Sequence, residues 1–362
     1  HNPPSYNGFK VKGHYGGPAL PSMISEIERL IPDSSTKTES LDAYIASGMV
    51  EIVDLEQMYL DHVEASFDID AIKNSGIRLA YDAMYGAGFP VFKRLFPEAL
   101  LLHCEHNPGF NGQAPEPIMK NLTEFSQLIK DEGNVGAGLA TDGDADRIGL
   151  LDVDGNFVDS HHIILMLIMY LHEHKGYTGK VATSFSCSGK IAKLCQHYGI
   201  EHIVTKIGFK YIAEYMLEDD ILVGGEESGG IAVKGHIPER DGIWMALVIW
   251  EFMAKTGKTL NDLKQDVYNI VGPFAFDRYD LHITEELKQS IIAKCKNDEF
   301  TSFGNYQVQA RETVDGFKFI LDENSWLMIR PSGTEPVLRT YAEAPTYADC
   351  IKILEACKAT IL

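Results

Sequence analysis

The sequence predicts an α/β protein of several domains, in which consecutive mixed α/β domains of similar topology precede a C-terminal α+β domain with an antiparallel sheet. Short apolar strands alternate with helical segments from residue 77 to residue 255, as they do in βα units. Beyond Gly272 and Pro273, strand segments follow one another between two helices, which favours antiparallel pairing. A chain of 362 residues with 45% hydrophobic side chains is long enough for two or three domain cores.

The N-terminal region predicts helices and loops but few strands. Helical spacing covers residues 22–30 and 41–50, and the segment 32–38 separates these helices. Residues 1–10 have the Pro, Gly and Asn content of a loop. Because a closed domain needs more strands than this region offers, we expect part of the first domain to be absent from the chain.

Two alternating units follow, and each is assigned from hydrophobic periodicity. The first unit has predicted strands at 77–81, 100–104, 135–140 and 148–151, a helix that ends near residue 96 and a helix at 121–130. The second has an apolar helix at 160–174, strands at 180–185, 203–206 and 221–224, helices at 189–198 and 209–217, and a long amphipathic helix at 241–255.

The remaining chain predicts a small antiparallel domain. Its strands are assigned to 275–282, 308–313, 318–321, 326–329 and 337–341, and its helices to 285–296 and 347–361. We therefore divide the chain into four domains. Domain 1 (1–65) is truncated, domain 2 (66–158) contains the acidic loop, domain 3 (159–271) contains a glycine-rich loop, and domain 4 (272–362) contains an arginine-flanked loop.

Composition argues against several kinds of partner. A formal net charge of −20 disfavours nucleic acid and anionic membrane surfaces, which bind through Lys and Arg. The longest apolar run is too short to span a bilayer. A small phosphorylated substrate remains compatible, because local cations can outweigh the global field. The six cysteines include no C-x-x-C pair, which indicates a reducing compartment, so we expect a cytoplasmic protein with Cys350 and Cys357 in the core.

Three aspartates alternate with small residues in one predicted loop. Asp142, Asp144 and Asp146 are separated by glycine and alanine, a spacing that lets alternate side chains converge. Carboxylates held that close repel one another unless a cation lies among them, and hard oxygen ligands suit Mg²⁺ or Ca²⁺. Arg147 follows with a planar guanidinium that can bind a phosphate oxygen.

A solvated turn and an EF-hand loop are the alternatives for this segment. Aspartates at this spacing are common in solvated turns, but a charged loop between the apolar strands 135–140 and 148–151 is hard to explain as a passive turn. An EF-hand loop requires Gly at its sixth position and Glu at its twelfth, which are Arg147 and Val153 here. The pattern therefore favours a built metal site.

Two further loops carry ligand-binding chemistry. The glycine-rich segment 224–230 follows a predicted strand, and ligands of open α/β sheets bind at such strand ends. Its exposed glutamate pair suits the recognition of sugar hydroxyls. A flexible loop is the alternative. The segment 330–336 and Arg339 offer two arginines around Ser, Gly and Thr, which fits a phosphate better than an ordinary turn. The residues 103–106, His-Cys-Glu-His, would alternate across a strand, so a structural role is favoured over a metal site.

These motifs together resemble the α-D-phosphohexomutases, the phosphoglucomutase and phosphomannomutase family. The segment His1-Asn2-Pro3 is similar to the end of that family's Thr-Ala-Ser-His-Asn-Pro loop, and residues 7–10 are similar to its lysine segment. Residues 142–147 resemble the family's metal loop, residues 225–229 its sugar loop and residues 330–336 its phosphate loop. The motifs follow the family's order and cover essentially the whole chain.

The resemblance implies four domains and transfer of a phosphoryl group between O1 and O6 of a hexose. A phosphoserine donates to the free hydroxyl, a hexose 1,6-bisphosphate forms and turns over, and the serine takes back the other phosphate. Asp142, Asp144 and Asp146 would hold Mg²⁺, which neutralises charge during the transfer.

Other site residues follow from the same resemblance. Lys10 would be the general acid/base, which requires a depressed pKa, and His1 and Arg147 complete the implied catalytic set. His236 is a possible proton relay or sugar contact, with a structural role favoured. The implied substrate-binding residues are Lys206, Gly208, Glu226, Ser228, Arg240, Arg330, Ser332, Gly333, Thr334 and Arg339.

The chain departs from the family pattern at its start. The nucleophilic serine should immediately precede His1, and Ser5 lies beyond two prolines and is a poor substitute. We therefore expect a missing N-terminal segment of the same protein as a partner, and we expect this polypeptide alone to be inactive.

Several functions remain open from the sequence. The Glu-Glu-Ser form of the sugar loop favours a phosphoglucomutase that acts on small hexose phosphates. We expect the protein to be a monomer or a homodimer. Phosphomannomutase or dual activity is the near alternative, and phosphoglucosamine mutase is ranked lower. A catalytically inert sugar-phosphate binding module is the alternative from another class.

Overall fold

The structure is a computed structural model that describes residues 4–5, 8–34, 38–332 and 337–362. The chain divides into two compact units. The first unit comprises His1–Ser160, Met216–Glu218 and Gly229–Leu263, and the second comprises His161–Tyr215, Asp219–Ser228 and Lys264–Leu362.

Helices and strands alternate through most of the described chain. The α-helices are α1 (Pro21–Arg29), α2 (Leu41–Ala46), α3 (Leu55–Ser66), α4 (Ile69–Asn74), α5 (Phe89–Leu95), α6 (Thr123–Glu132), α7 (Ser160–Met169, continued by a π-helical turn at Tyr170–His174), α8 (Gly189–Tyr198), α9 (Phe209–Glu218), α10 (Gly242–Thr256), α11 (Leu260–Val271), α12 (Glu285–Lys296) and α13 (Tyr347–Ile361). The strands are β1 (Leu79–Asp82), β2 (Leu100–Leu102), β3 (Ala137–Thr141), β4 (Ile148–Leu151), β5 (Phe157–Val158), β6 (Lys180–Ser184), β7 (His202–Thr205), β8 (Ile221–Gly225), β9 (Ile231–Val233), β10 (Ala275–His282), β11 (Ser302–Phe303), β12 (Tyr306–Gln307), β13 (Ala310–Glu312), β14 (Phe317–Ile320), β15 (Trp326–Pro331) and β16 (Val337–Ala344).

The first unit is built on a five-stranded sheet in the order β2-β1-β3-β4-β5. Strand β1 runs parallel to β2 and β3, and β4 is antiparallel to β3. Every residue of β1 and β3 is buried, as expected for parallel strands covered on both faces. The order changes direction at β1, and ligands of open α/β sheets bind at the carboxyl ends of the strands beside such a point. The loop after β3 starts at this edge.

The second unit repeats the parallel arrangement. Strand β6 pairs in parallel with β7 on one side and with β8 on the other, so its order matches that of β2, β1 and β3. The predicted similarity of topology between the consecutive α/β domains is therefore confirmed. The glycine-rich loop after β8 occupies the position that the acidic loop occupies after β3.

An antiparallel sheet of five strands forms the C-terminal part of the second unit, as the sequence predicts. Its order is β10-β16-β15-β14-β13. One face of this sheet packs on a core that includes Phe303, Phe319 and Leu327, with Cys350 and Cys357 of α13 buried in the same core. The expectation that both cysteines are core residues is confirmed.

Four helices differ from the sequence assignment. Helix α2 ends at Ala46 because Gly48 adopts a left-handed φ of 73°. Helix α10 is not amphipathic: its residues from Gly242 to Met253 are all buried, because α4, β3, β4 and β9 contact it. Helices α3 and α4 have no counterpart in the sequence assignment, although Asp54 and Asp68 cap their N-termini.

Among the described residues, no helix combines the length and the apolar character needed to cross a membrane.

Candidate active site

The acidic loop between β3 and β4 brings its three aspartates together. Ala145 has a φ of 59°, and its N–H donates to the Asp142 carbonyl oxygen at 3.0 Å, so the backbone turns tightly inside the loop. One carboxylate oxygen each from Asp142, Asp144 and Asp146 lie within 4.8 Å of one another. Asp142 is fully buried and also accepts the backbone N–H of Arg147 at 3.0 Å.

Burial and mutual repulsion dominate the electrostatics of these carboxylates. Burial raises the pKa of Asp142 to about 7, and the neighbouring Asp146 and Asp144 carboxylates add to the rise. Burial likewise raises the pKa of Asp146, against the opposing effect of Arg240. Burial would raise the pKa of Asp144 as well, but the hydrogen bond from Lys10 and its charge lower it. The trio is a concentrated negative site that a cation would stabilise.

Lys10 and Arg240 form ion pairs with Asp144 and Asp146 of the trio. Lys10 Nζ lies 2.5 Å from Asp144 Oδ2 and 3.9 Å from Asp146 Oδ2. Arg240 Nη2 lies 2.6 Å from Asp146 Oδ2. Burial alone would lower the pKa of Lys10, but its hydrogen bond and charge interaction with Asp144 outweigh burial and raise the pKa. This direction is opposite to the depressed pKa that a lysine needs in order to act as a general base.

The donor set fits a divalent cation with a preference for oxygen. Three carboxylates from one loop provide hard ligands and leave coordination positions for water or phosphate oxygens. Burial raises the pKa of Asp142 and Asp146, repulsion from neighbouring carboxylates adds to the rise, and a bound cation would offset that repulsion.

Glycines allow the loop to pack closely against its neighbours. A Cβ on Gly86 would lie 2.6 Å from the Asp142 carbonyl oxygen and 2.9 Å from Gly143 Cα. The backbone N–H of Ala87 donates to the Gly143 carbonyl at 2.9 Å. On the other side, a Cβ on Gly143 would meet the Pro115 ring at 3.1 Å. The loop is therefore held by backbone contacts from the turn after β1.

A cavity of about 110 Å³ lies beside this turn, and left-handed residues surround it. Met84, Tyr85, His103, Phe110 and Asn111 line the cavity, and all have φ between 46° and 62°. Non-glycine residues seldom adopt this conformation, which costs free energy. The strain is concentrated at the carboxyl ends of β1 and β2.

The motif at residues 103–106 does not form an alternating strand. Strand β2 ends at Leu102, and the left-handed His103 breaks the predicted alternation. His103 Nδ1 instead lies 3.0 Å from Asp82 Oδ1, whose hydrogen bond raises the pKa of this histidine. In the described part of the chain, the only cluster with metal-ligand geometry is the aspartate trio.

Arg147 and His236 are placed in the first unit. Arg147 is largely buried, with Nη1 at 3.6 Å from Glu116 Oε1 and Nε at 3.8 Å from Asp142 Oδ2. The His236 ring stacks on Trp244 with centroids 3.8 Å apart, and its Nε2 lies 3.1 Å from Asp241 Oδ2. These contacts support the structural role favoured for His236.

The sugar-loop residues lie in the second unit. Glu226 is buried, so the expectation of an exposed glutamate pair is wrong for this residue, because its Oε1 turns inward to accept the Gly208 N–H at 2.8 Å. Glu227 Oε2 accepts the Ser186 hydroxyl at 2.5 Å. Ser228 is half-buried, and Lys206, two residues before Gly208, is exposed.

Two arginines of the phosphate loop face each other across the antiparallel pair β15 and β16. Arg330 and Arg339 are direct partners in the register, so their side chains lie on the same face of the sheet. Directly opposed like charges are destabilising unless an anion lies near them. Arg330 Nη2 lies 3.2 Å from Asp315 Oδ2, Arg339 Nε lies 3.7 Å from Asp280 Oδ1, and Ser332 is buried nearby in sequence.

Three predicted residues, His1, Gly333 and Thr334, lie outside the described residues. Conversely, sequence reasoning missed Asp315, Lys12 and Glu239. Lys12 Nζ pairs with Glu239 Oε2, and Glu239 precedes the metal-loop partner Arg240. Nothing in the sequence distinguishes Asp315 from the aspartate of an ordinary Asp-Gly turn.

Sequence models of known protein families match the parts of the chain that contain almost all of these elements. Sequence models of the four phosphoglucomutase/phosphomannomutase domains match the chain: the alpha/beta/alpha domain I at residues 1–38, domain II at 57–155, domain III at 159–271 and the C-terminal domain at 292–357.

Curated relatives carry related names. The chain is 29% identical over 364 residues to a probable phosphoglucosamine mutase of Pyrococcus furiosus, covering 100% of the chain and 76% of that protein. It is 27% identical over 360 residues to a phosphoglucomutase/phosphomannomutase of Thermococcus kodakarensis, covering 98% of the chain and 75% of that protein. A phosphoglucosamine mutase of Lactobacillus delbrueckii subsp. bulgaricus is 30% identical over 353 residues, with 96% of the chain and 72% of that protein covered.

Solved structures agree. The structure of a putative phosphomannomutase from Thermus thermophilus aligns with 100% of this chain over 76% of its own length, with a TM-score of 0.84 and 30% sequence identity. The open form of the Paramecium phosphoglucomutase parafusin matches 86% of the chain and 64% of its own, with a TM-score of 0.71 and 25% identity. With this fold and these motifs, the chain belongs to the phosphoglucomutase/phosphomannomutase family of α-D-phosphohexomutases.

Proposed function

We propose that this protein interconverts hexose 1-phosphates and hexose 6-phosphates and prefers glucose phosphates. The convergence of Asp142, Asp144 and Asp146 within 4.8 Å, beside Lys10 and Arg240, is the observation that carries the proposal. Family membership supplies the reaction class. The reaction passes from a phosphoserine through a hexose 1,6-bisphosphate that serves as intermediate and activator.

The first unit would provide the transfer chemistry. The three aspartates are proposed to hold Mg²⁺, which when bound supplies positive charge against the transferring phosphoryl group. Lys10 is retained as the proposed acid/base from the family motif, and its exposed side chain remains accessible to a hydroxyl. Asp144 raises the pKa of Lys10, and Mg²⁺ held by the aspartates would offset that effect by neutralising the carboxylate charge. Arg147 would hold a phosphoryl oxygen, and His1 is retained from the family motif.

Most of the proposed sugar and phosphate contacts belong to the second unit. Glu226 and Ser228 are proposed to bind sugar hydroxyls. Arg330, Ser332 and Arg339 are proposed to bind the phosphate that is not being transferred, and the opposed arginine pair supports this role because an anion offsets its repulsion. The remaining proposed contacts are Lys206, Gly208, Arg240, Gly333 and Thr334.

Sugar preference is proposed from the loop sequence. Glucose is favoured by the Glu-Glu-Ser form of the loop. In the structure, Glu226 accepts the Gly208 N–H and Glu227 accepts the Ser186 hydroxyl. Glucosamine phosphate is the second candidate, since the relatives from P. furiosus and L. delbrueckii are named phosphoglucosamine mutases. Mannose phosphate follows from the names of the T. kodakarensis and T. thermophilus proteins.

A coupled assay tests the proposal. The intact gene product is incubated with Mg²⁺, a trace of glucose 1,6-bisphosphate, and the 1-phosphate of glucose, mannose or glucosamine. We expect glucose 6-phosphate to form with the highest kcat/KM. Asp144→Asn should reduce the turnover rate. It should also lower the Mg²⁺ affinity, measured by calorimetry, about tenfold or more, because a charged ligand is lost.

Asp154→Asn, an exposed aspartate in the turn after β4, is the matched control and should change neither quantity. Tight sugar-phosphate binding with no product in any assay would instead support an inert binding module. A higher kcat/KM with glucosamine 1-phosphate would overturn the glucose preference alone.

We also propose the division into domains at 1–65, 66–158, 159–271 and 272–362. The family matches at 57–155, 159–271 and 292–357 support it.

A further inference from the structure

Asp315 lies in the turn between β13 and β14 and contacts two segments of the proposed substrate site. Its Oδ2 accepts the backbone N–H of Ile207 at 2.9 Å and lies 3.2 Å from Arg330 Nη2. Ile207 lies between Lys206 and Gly208 in the loop after β7. One carboxylate oxygen therefore joins that loop to the proposed phosphate-binding arginine.

The turn is shaped for this contact. Gly316 has a φ of 113°, and an added Cβ would lie 3.0 Å from the Ile329 carbonyl oxygen and 3.2 Å from Arg330 Cβ. A side chain at this position would be strained and would push the turn away from β15. Glycine allows the approach that places Asp315 beside Arg330.

The connection continues to the sugar loop. The N–H of Gly208, the residue after Ile207, donates to Glu226 Oε1 at 2.8 Å, and Gly208 has a φ of 130°. The adjacent backbone N–H groups of Ile207 and Gly208 therefore donate to two different carboxylates. Ile207 donates to Asp315 in the β13–β14 turn, and Gly208 donates to Glu226 in the sugar loop. Arg330, Asp315, the Ile207–Gly208 backbone and Glu226 form one continuous series of polar contacts within the second unit.

The arginine keeps binding capacity for a phosphate. A guanidinium has five N–H donors, and the 3.2 Å contact with Asp315 Oδ2 is made by Nη2. The Asp315 carboxylate is also a negative charge beside the opposed pair Arg330 and Arg339, which offsets part of their repulsion. Asp315 therefore orients Arg330 without blocking the rest of its planar fork.

We propose that Asp315 is a positioning residue that holds the phosphate-binding Arg330 and the sugar-binding Glu226 in one arrangement, and that it thereby favours a phosphorylated sugar over inorganic phosphate. The inference rests on the proposed function, because it assigns the phosphate to Arg330 and the sugar to Glu226. A ligand that contacts both groups uses the arrangement, whereas inorganic phosphate contacts only the arginines.

Calorimetric binding of glucose 6-phosphate and of inorganic phosphate to the full chain tests this inference. Asp315→Ala should weaken glucose 6-phosphate binding about tenfold, the effect of one charge-assisted hydrogen bond, and phosphate binding by less than about threefold. Asp315→Asn retains an oxygen that can accept the Ile207 N–H, so its loss should be intermediate. In a double-mutant cycle, Glu226→Gln should cost less in the Asp315→Ala background than alone.

Asp298→Asn is the matched control, because Asp298 also pairs with an arginine, Arg311, in the C-terminal region. It should bind both ligands like the wild type. Equal weakening of both ligands by Asp315→Ala, or no weakening, would overturn the inference, and Asp315→Asn replaces Asp315→Ala in that decision if the alanine variant unfolds. Failure of the wild type to bind glucose 6-phosphate would count against the proposed function itself.

Discussion

At the scale of single residues, the environment of a side chain decides its chemistry more than its type does. Asp142 and Asp144 lie two positions apart in one loop, yet the pKa of Asp142 is raised to about 7 by burial, whereas a lysine contact lowers the pKa of Asp144. The sequence predicted that these carboxylates converge because their spacing in a loop between buried strands is visible. It could not predict that Glu226 turns inward, since that depends on the backbone N–H of Gly208, eighteen residues away.

His202 on β7 provides a pH-dependent stability test. Burial, with a contribution from the charge of Lys318, lowers the pKa of His202 to about 4. The unfolded chain takes up this proton near pH 6.5 and the folded chain does not, so the contribution of His202 is complete above pH 6.5 and is lost as pH falls toward 4. Between pH 8 and pH 5 it should amount to about 2 kcal/mol of unfolding free energy.

Urea unfolding of wild type and His202→Gln at both pH values measures this difference. His197→Gln, at an exposed position of α8, serves as the control and should retain the wild-type pH dependence. A His202→Gln variant that loses stability in acid as steeply as the wild type would contradict the assignment.

At the scale of elements, close backbone contacts position the acidic loop. The N–H of Gly242, the first residue of α10, donates to the Ala145 carbonyl at 2.9 Å, and a Cβ on Gly242 would lie 2.4 Å from the Arg147 carbonyl oxygen. Gly242→Ala should therefore displace the loop, weaken Mg²⁺ binding about tenfold and lower the unfolding free energy by about 1–3 kcal/mol. Calorimetry and urea unfolding measure both effects.

Gly109→Ala is the comparison for that substitution, since Gly109 has an ordinary φ of −85° and its added Cβ would approach nothing closer than 3.4 Å. It should leave both quantities unchanged. Unaltered Mg²⁺ affinity in a stably folded Gly242→Ala variant would show that α10 does not position the loop.

Elements with strong local signals were predictable. Helix α8, strand β4, strand β10, helix α12 and helix α13 match their predicted bounds, since periodicity and capping agree there. Helix α10 was assigned near its true bounds but with the wrong character, because burial on all sides comes from tertiary packing. The end of β2 was missed for a similar reason: a left-handed His103 has no signature in the sequence.

At the scale of the whole molecule, the residues proposed to bind Mg²⁺ and those proposed to bind phosphate belong to different compact units. The aspartate trio belongs to the first unit, and the pair Arg330 and Arg339 belongs to the second. Bound Mg²⁺ should therefore stabilise the acidic loop, and bound phosphate should stabilise the region around Arg330, by mass action. Hydrogen exchange should slow at residues 142–147 with Mg²⁺ and at residues 326–331 with inorganic phosphate, because ligand binding suppresses local opening.

Mass spectrometry of exchanged peptides resolves these regions. Peptides from α12 in the second unit and from α6 in the first provide internal controls that neither ligand should affect directly. Protection of the acidic loop by phosphate without Mg²⁺, and not by Mg²⁺, would contradict the proposed placement of the two ligands.

The cluster of left-handed residues around β1 and β2 has a consequence for engineering. Met84, Tyr85 and Asn111 occupy a left-handed conformation that glycine adopts without steric cost. Thermostabilised variants of this protein can therefore be sought by glycine replacement at these positions, where relief of torsional strain competes with the greater freedom of an unfolded glycine. A mutational library directed at this edge would reveal which residues are retained for function at the expense of stability.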